Sequence, residues 1–383
     1  MNDSSTNIAR FLSHATSARD AIADVAGQIP FQGPALVALF LSPDYDRDEA
    51  AEAIAENFGN VPVIGCTTAG EISPDGYQRG GVSGFALPAD DFDVEVGVID
   101  GIDDFEYRDG VGAATEVRRR MESRIPGASG LNTFAFLLVD GMSRKEEPVV
   151  AAIHPSLGDI QLFGGSAGDG GAFQASWVFH GGTFATKRAV LTLVHTNRSF
   201  AVFRTQHFVS SGQRLVVTGS DPSRRLVYEI DGERATEAYA RHLGIPEESL
   251  GSTVFACHPV VVQMGGEYFV RSIMQHHPDG SIEFACAIDQ GVVLRLAEGV
   301  DMVANLEESL DGLRDRVGDP DLIIGCDCLF RRVEAEATDV RSALDEILRK
   351  NHVVGFTSYG EQYNAVHVNQ TLTGVAIGPR KAA

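Results

Sequence analysis

Three glycine-rich turns carry the side chains best placed to do chemistry. They read VIGCTTAGE (63–71), LFGGSAGD (162–169) and VVGFTSYGE (353–361). Each follows a short apolar run, carries at least one hydroxyl side chain and ends in a carboxylate. Such a turn exposes backbone N–H groups and hydroxyls at a strand end, where ligands of α/β sheets bind. The candidate pocket residues are Gly65, Thr67, Gly165, Ser166, Thr357 and Tyr359. The alternative is that the glycines only permit positive φ and close packing.

The turns do not match the motifs of nucleotide-binding loops. None has the G-x-x-x-x-G-K-[ST] spacing or a G-x-G-x-x-G at the head of a helix, and a carboxylate follows where a phosphate would be repelled. Ser166 and Cys66 are candidate nucleophiles for a hydrolase, but GGSAG (164–168) lacks the spacing of a G-x-S-x-G elbow. We therefore expect a binding protein and not an enzyme, with a hydrolase as the alternative.

Two histidines lie in segments that alternate like strands. In SFAVFRTQHFVSSG (199–212), period-two alternation puts His207 on a largely apolar face with Phe203. Apolar walls suit a core histidine, and they also suit an imidazole that ligates haem iron. In YNAVHVNQTLTGVAI (363–377), the same alternation puts His367 and Asn369 on one polar face, as in a pocket wall. A third histidine, His180, abuts the turn Gly181-Gly182.

The elements that must position these residues form a repeated pattern. Strand, loop, helix, strand and glycine turn follow one another in 34–71, in 132–169 and in 320–361. The apolar runs are unalternated and the helices amphipathic, which is typical of βαβ units covered by helices. Other segments predict antiparallel hairpins, at 176–195 around Gly181-Gly182 and at 267–288. The predicted fold class is α/β, with repeated βαβ units, mixed sheets, two related modules and additional antiparallel hairpins.

Charge and composition exclude several classes of partner. The 383 residues carry a net charge of −22 with 44% hydrophobic residues. The negative charge argues against nucleic acid and against an anionic membrane surface. No apolar run is long enough to span a bilayer, and the N-terminus lacks the pattern of a secretory signal. Five cysteines do not indicate a disulfide framework. We expect a cytoplasmic protein.

Five stretches resemble the signature segments of the FIST family, in the right order and over roughly residues 30–378. They read VIGCTTAGEI, FGGSAGDGG, GGEYFVRSI, GFTSYGEQYN and HVNQTLTG. FIST proteins are sensory proteins with paired N- and C-terminal modules. The resemblance implies a FIST N-type ligand-binding domain over 1–220 and a FIST C-type domain over 221–383. It also implies that the chain binds a small ligand in signal transduction.

Within the family, FRTQHFV (203–209) and GEQYNAVHVNQT (360–371) look most like the haem-binding, nitric-oxide-sensing NosP-type branch. This implies haem b as cofactor, nitric oxide as signal and a partner sensor histidine kinase, or a related signalling protein, regulated in trans. Our first candidate for the iron ligand is His207, with His367 next and His180 third. A homodimer is compatible with this reading. The alternative is a haem-free FIST sensor for a small polar metabolite such as an amino acid, with a pocket built from Thr67, Thr68, Ser166, Thr357 and Ser358.

Overall fold

The computed structural model describes residues 8–380, so the ends of the two expected domains, 1–7 and 381–383, lie outside the described residues. The first third of the chain forms the following elements: β1 (Ala9–Ser13), α1 (Ala18–Gly27), β2 (Pro34–Leu41), α2 (Arg47–Phe58), β3 (Val63–Thr67), β4 (Glu71–Ser73), β5 (Gly76–Gln78), β6 (Val82–Pro88), β7 (Phe92–Asp100) and α3 (Tyr107–Arg124). Asp46 caps α2 by accepting a hydrogen bond from the backbone N–H of Glu49 at 2.9 Å.

The second repeat and the segment after it continue the same order of elements. They comprise β8 (Thr133–Val139), α4 (Glu146–Leu157), β9 (Leu162–Ser166), β10 (Val178–His180), β11 (Thr183–Ala185), β12 (Arg188–Thr196) and β13 (Phe200–Thr205). An insertion therefore separates the second glycine turn from its hairpin, β10–β11.

A largely antiparallel region follows, and the third repeat closes the described chain. The antiparallel region comprises β14 (Phe208–Asp221), β15 (Leu226–Ile230), β16 (Glu233–Arg234), α5 (Ala235–Leu243), α6 (Ser252–Cys257), β17 (Val260–Met264), β18 (Glu267–Arg271), β19 (Ile273–His276), β20 (Ile282–Phe284) and β21 (Val293–Gly299). The last part comprises α7 (Met302–Val317), β22 (Leu322–Cys328), α8 (Leu329–Ala337), α9 (Arg341–Lys350), β23 (Val353–Ser358), β24 (Glu361–Tyr363), β25 (Val366–Val368) and β26 (Leu372–Ile377).

Three of the sheets are built on one plan. Their strand orders are β1-β6-β2-β3-β10-β11 for sheet I, β25-β24-β9-β8-β12-β7 for sheet II and β13-β26-β22-β23-β4-β5 for sheet III. Each contains one parallel pair from one repeat: β2 with β3, β8 with β9, and β22 with β23. Helices α2, α4 and α8–α9 connect these pairs, as the βαβ pattern predicts.

The hairpin that follows each glycine turn leaves its own sheet and joins that of another repeat. The hairpin β4–β5 of the first repeat pairs with β23 in sheet III. The hairpin β24–β25 of the third repeat pairs with β9 in sheet II, and β10–β11 of the second pairs with β3 in sheet I. The three repeats thus exchange hairpins in a closed cycle.

One apolar core lies between the three sheets. Phe40 of sheet I stacks on Phe356 of sheet III at 4.8 Å, and Phe136 stacks on Phe163 within sheet II at 4.7 Å. These rings belong to one buried cluster that draws on all three sheets. Helix pairs α1–α2, α3–α4 and α7–α9 cover the outer faces with separate clusters. The sheets are buried on both faces, which explains their unalternated apolar strands.

The fourth sheet has the order β18-β17-β21-β14-β15-β20-β19 and is antiparallel, with β16 paired to β15. Helices α5 and α6 cover it around a cluster that includes Tyr239 and Phe255. The expected α/β fold class, with repeated βαβ units, mixed sheets and additional hairpins, is confirmed. The division at residues 220 and 221 stays a prediction; Asp221 is the last residue of β14.

No helix within residues 8–380 is long and apolar enough to cross a membrane.

Candidate functional site

The three glycine turns meet and form a closed ring of backbone hydrogen bonds. The N–H of Gly168 donates to Thr67 O at 2.9 Å, and the N–H of Ala69 donates to Thr357 O at 2.9 Å. The N–H of Tyr359 donates to Ser166 O at 3.1 Å and completes the cycle. Each turn therefore contacts the strand end of another repeat, so Thr67, Ser166 and Thr357 occupy equivalent positions.

Two of the turns depend on a glycine at the same position. Gly70 has φ +142° and Gly360 has φ +147°, a conformation that L side chains rarely adopt. A Cβ on Gly360 would also clash with the ring of His367, and one on Gly70 would clash with the guanidinium of Arg332.

The carboxyl groups at the ends of the first and third turns form hydrogen bonds with neighbouring hydroxyls and so stabilise these turns. Glu71 accepts from Thr68 Oγ1 at 2.7 Å, and Glu361 accepts from Ser358 Oγ at 2.6 Å and Thr371 Oγ1 at 2.8 Å. Burial raises the pKa of Glu71, and it raises the pKa of Glu361 to about 8.

Asp169 holds the longer second turn in a different way. Its carboxylate accepts backbone N–H bonds from Phe173, Gln174 and Ala175 at 2.7–2.9 Å and a hydrogen bond from the Tyr359 hydroxyl. Partial burial raises the pKa of Asp169, but these hydrogen bonds outweigh burial and hold the pKa below its ordinary value. The Tyr359 ring stacks on Phe173 at 4.5 Å, so Tyr359 joins the third turn to the second.

Two of the three hydroxyls at the ring form hydrogen bonds with residues outside their own repeat. Thr67 Oγ1 accepts from Trp177 N–H at 3.1 Å, and Ser166 Oγ accepts from Gln362 Nε2 at 3.0 Å. Thr357 Oγ1 is buried and has no hydrogen-bond partner within residues 8–380. Gly65 and Gly165 are buried in β3 and β9. The candidate turn residues are therefore brought together, and ligand-sized space lies beside the ring, not inside it.

A cavity of about 250 Å³ adjoins the first and second turns. Glu71, Asp169 and Asp44 line it together with the cationic Arg79.

Cys66, the other candidate nucleophile, is fully buried, and burial raises the pKa of its thiol well above the ordinary value. A thiol in that state is a poor nucleophile.

His207 lies in a buried charge network. The expected alternation around it is wrong, because β13 ends at Thr205 and β14 begins at Phe208. Arg331 Nη1 donates to His207 Nδ1 at 3.1 Å, and His207 Nε2 donates to the Glu334 carboxylate at 2.9 Å. Burial lowers the pKa of His207. Both ring nitrogens are therefore engaged, and an iron atom would have to displace one of these partners.

His367 is buried beside the third turn. The alternation predicted for 363–377 is also wrong, because Gln370 has φ +49° and divides the segment between β25 in sheet II and β26 in sheet III. His367 Nδ1 lies 3.3 Å from Gln362 Nε2, and its Nε2 lies 3.4 Å from Ala285 O. Burial lowers the pKa of His367 to about 4. Asn369 is fully buried, and its Oδ1 accepts from Ser272 N–H at 3.4 Å.

His180 differs from the other two candidates because it lines a groove of about 630 Å³. It is half-buried at the end of β10, and its Nδ1 donates to Val63 O at 3.3 Å. That bond places the proton on Nδ1, so Nε2 carries the lone pair that a metal needs. Burial lowers the pKa of His180, which favours the neutral ring. Apolar and charged residues line the groove, among them Ile54, Val61, Pro62, Val94, Val96, Phe179, Glu95, Arg120 and Arg124.

The residues around the groove fit haem better than those around His207 or His367. A haem site needs an axial imidazole with a free nitrogen, apolar walls and, for the propionates, cationic side chains. His180 supplies an imidazole with a free nitrogen, and the valines supply apolar walls. Arg120 and Arg124 supply cationic side chains, although both also pair with Glu95. Within residues 8–380 no cluster of three or more His, Cys, Asp or Glu side chains could hold a bare metal ion.

Sequence reasoning missed several buried polar residues at this centre. Asp327 binds Arg331 Nε at 2.7 Å and the Tyr77 hydroxyl, and Gln362 links Ser166 to His367. The signal for Asp327 was a carboxylate inside the apolar run of β22, followed four residues later by Arg331 at the start of α8. Gln362 gave no signal beyond its place next to Glu361.

The repeated sheets, the ring of turns and the separate antiparallel sheet define a two-module α/β protein. The profile of the FIST N domain matches residues 35–233, and that of the FIST C domain matches residues 235–364. The chain therefore belongs to the FIST family, whose domains are sensor domains of signal transduction.

Two solved structures of cyanuric acid hydrolases align with the chain at low similarity. The one from A. caulinodans has 9% identity and a TM-score of 0.40 and covers 98% of this chain and 100% of its own. The other has 11% identity and a TM-score of 0.36, and the alignment covers 97% of this chain and 99% of that structure's chain. Likenesses this distant carry no conclusion about activity. No curated protein matches the chain.

Proposed function

We propose that the chain is a haem-based sensor of nitric oxide, or of another diatomic gas, and that His180 is the iron ligand. The observation that carries the proposal is the free Nε2 of His180 at a groove with apolar walls. Haem, when bound, supplies an iron atom that takes a diatomic gas. The valines of the groove would offer the porphyrin an apolar surface, and Val63 O orients the imidazole.

The position of His180 offers a route to the rest of the molecule. His180 pairs with Ile64 across β10 and β3, and Val178 pairs with Cys66. The next residue of β3, Thr67, belongs to the ring of turns. A displacement of His180 would therefore act on the junction of all three repeats, a candidate two-state element that a partner could read. Regulation of a partner histidine kinase, in the cytoplasm, is part of the same proposal.

Replacing His180 with alanine is expected to abolish the Soret band of the haem-reconstituted protein, since the imidazole is the axial ligand. Absorption spectra of the ferrous protein, with and without nitric oxide, measure this. His154→Ala is a matched control, because His154 is a partly buried histidine on α4 that lines no described cavity.

Added imidazole should restore the band in His180→Gly, which a structural role of His180 would not allow. A wild-type protein without a Soret band after reconstitution would sink the haem proposal. A band lost in His207→Ala and unchanged in His180→Ala would move the ligand to His207.

The acidic cavity beside the ring favours a second candidate function, a haem-free sensor of a small polar metabolite. Asp169 and Asp44 suit an ammonium group, and Arg79 suits a carboxylate, which together describe an amino acid. A rise in melting temperature with amino acids, together with no spectral change with haem, would select this function. In both candidates the chain is not an enzyme.

A further inference from the structure

A separate cavity of about 610 Å³ lies between the start of α4 and the fourth sheet. Lys145 and Pro148 line it from the second repeat, and Arg271, Val262 and Ile288 line it from the antiparallel region. It shares no residue with the His180 groove. Its volume lies in the range of small-molecule sites in proteins.

The ion pairs around this cavity do not engage every charged residue of its wall. Arg225 binds Glu146 at 2.6 Å and lies 3.7 Å from Glu147, so its charge is compensated. Arg144 likewise binds Glu283 at 2.7 Å. Arg144, Arg225 and Glu147 line the cavity, and ion pairs hold all three in place.

Arg271 has no such partner. Arg271 is only 8% exposed, yet no carboxylate of residues 8–380 lies within ion-pair distance of its guanidinium. One Nη donates to His367 O at 3.1 Å, and the other lies 3.9 Å from Met264 Sδ. A guanidinium has five N–H donors, and burying its charge without an anion is costly. Lys145 in the same wall also has no ion-pair partner in the described chain.

We propose that this cavity binds a small organic carboxylate with an apolar body, held by Arg271 and assisted by Lys145. The guanidinium fork matches the two oxygens of a carboxylate. Val262, Met264, Ile288 and Val292 supply the surface for the apolar part. Glu147 and Asp289 in the same lining disfavour a dianion, so a carboxylate fits better than a phosphate.

Occupation of this site would reach the ring of turns. Arg271 bonds to the carbonyl of His367 in β25, and β25 pairs with β24, whose first residue is Glu361. The inference goes beyond the proposed haem site, because it concerns a second ligand in another part of the fold.

Calorimetric titration of the haem-free protein with hexanoate tests the proposal. We expect wild-type protein to bind hexanoate and Arg271→Gln to bind it at least tenfold more weakly, the loss expected for a hydrogen-bonded charge pair. Lys145→Gln should weaken binding at least threefold, and because Lys145 is partly exposed this variant keeps the fold. Arg214→Gln, a change at an exposed arginine that lines no described cavity, should leave binding unchanged.

Hexan-1-ol and inorganic phosphate complete the design. If hexan-1-ol bound as tightly as hexanoate, the site would not recognise the negative charge. If phosphate bound and hexanoate did not, the assignment of a carboxylate ligand would be wrong. The proposed site would be overturned if wild-type protein did not bind hexanoate. It would also be overturned if both Arg271→Gln and Lys145→Gln bound hexanoate as tightly as wild type. The Soret band of haem-loaded Arg271→Gln should equal that of wild type, so this inference and the haem proposal fail separately.

Discussion

Replacing Arg331 with methionine is expected to lower the free energy of unfolding by about 3–5 kcal/mol. The guanidinium is 1% exposed, its Nε donates to Asp327 at 2.7 Å, and Nη1 donates to His207 at 3.1 Å. Methionine has a similar length without the charge, so Asp327 would remain buried with only the Tyr77 hydroxyl as a partner. Urea unfolding followed by circular dichroism measures the loss.

A control at a second arginine and a double variant test whether the loss of stability comes from the Arg331–Asp327 ion pair. Arg349→Met changes an exposed arginine on α9 that has no ion pair among residues 8–380, and it should stay within about 0.5 kcal/mol of wild type. Combining Arg331→Met with Asp327→Asn should cost less than the sum of the two single changes, because both remove the same interaction. An Arg331→Met protein as stable as wild type would show that the network does not hold the fold.

Replacing Glu361 with glutamine is expected to remove a fall in stability of about 2 kcal/mol between pH 6.5 and 8. Burial raises the pKa of Glu361 from 4.5 to about 8, so the folded protein keeps a proton that the unfolded chain has lost. The stabilisation from this proton is complete below pH 4.5 and disappears as the pH rises through 8. Glutamine retains the hydrogen-bonding shape of the neutral acid and cannot titrate.

The window above pH 6.5 isolates this effect. Below it, His367, whose pKa is about 4, makes the folded protein less stable as the pH falls and thus opposes Glu361. Unfolding free energies at pH 6.5, 7.2 and 8.0 for wild type, Glu361→Gln and the exposed control Glu308→Gln give the comparison. Equal slopes in all three proteins would contradict a buried, protonated Glu361.

The repeats could be predicted from the sequence because each strand is covered by helices. A strand buried on both faces is a continuous apolar run, and the first and third turns need a glycine at the same position, as at Gly70 and Gly360. The exchange of hairpins could not be predicted. A short hairpin such as β4–β5 (71–78) has the same local pattern whichever sheet it joins, and its partner strand is distant in the chain.

The candidate site was predicted in part. The turns do meet, but the carboxylates of Glu71 and Glu361 bond to neighbouring hydroxyls, which a sequence pattern cannot distinguish from a ligand contact. The alternation around His207 and His367 failed, because a strand end at Thr205 and a left-handed Gln370 interrupt it. Arg271 gave no signal, since only the folded structure reveals that a buried charge lacks a partner.

The exchange of hairpins also determines how this chain can be made. During synthesis β4–β5 emerges early, but its partner strand β23 comes close to the end of the chain. Until the third repeat is made, the edges of β9 and β4 remain unpaired, because β9 pairs with β24 and β4 pairs with β23. Unpaired strand edges are templates for aggregation. Pairings between distant segments also form slowly. The nascent protein therefore depends on a late closure step, in which the third repeat arrives and completes sheets II and III, whereas sheet I needs strands of the first two repeats alone.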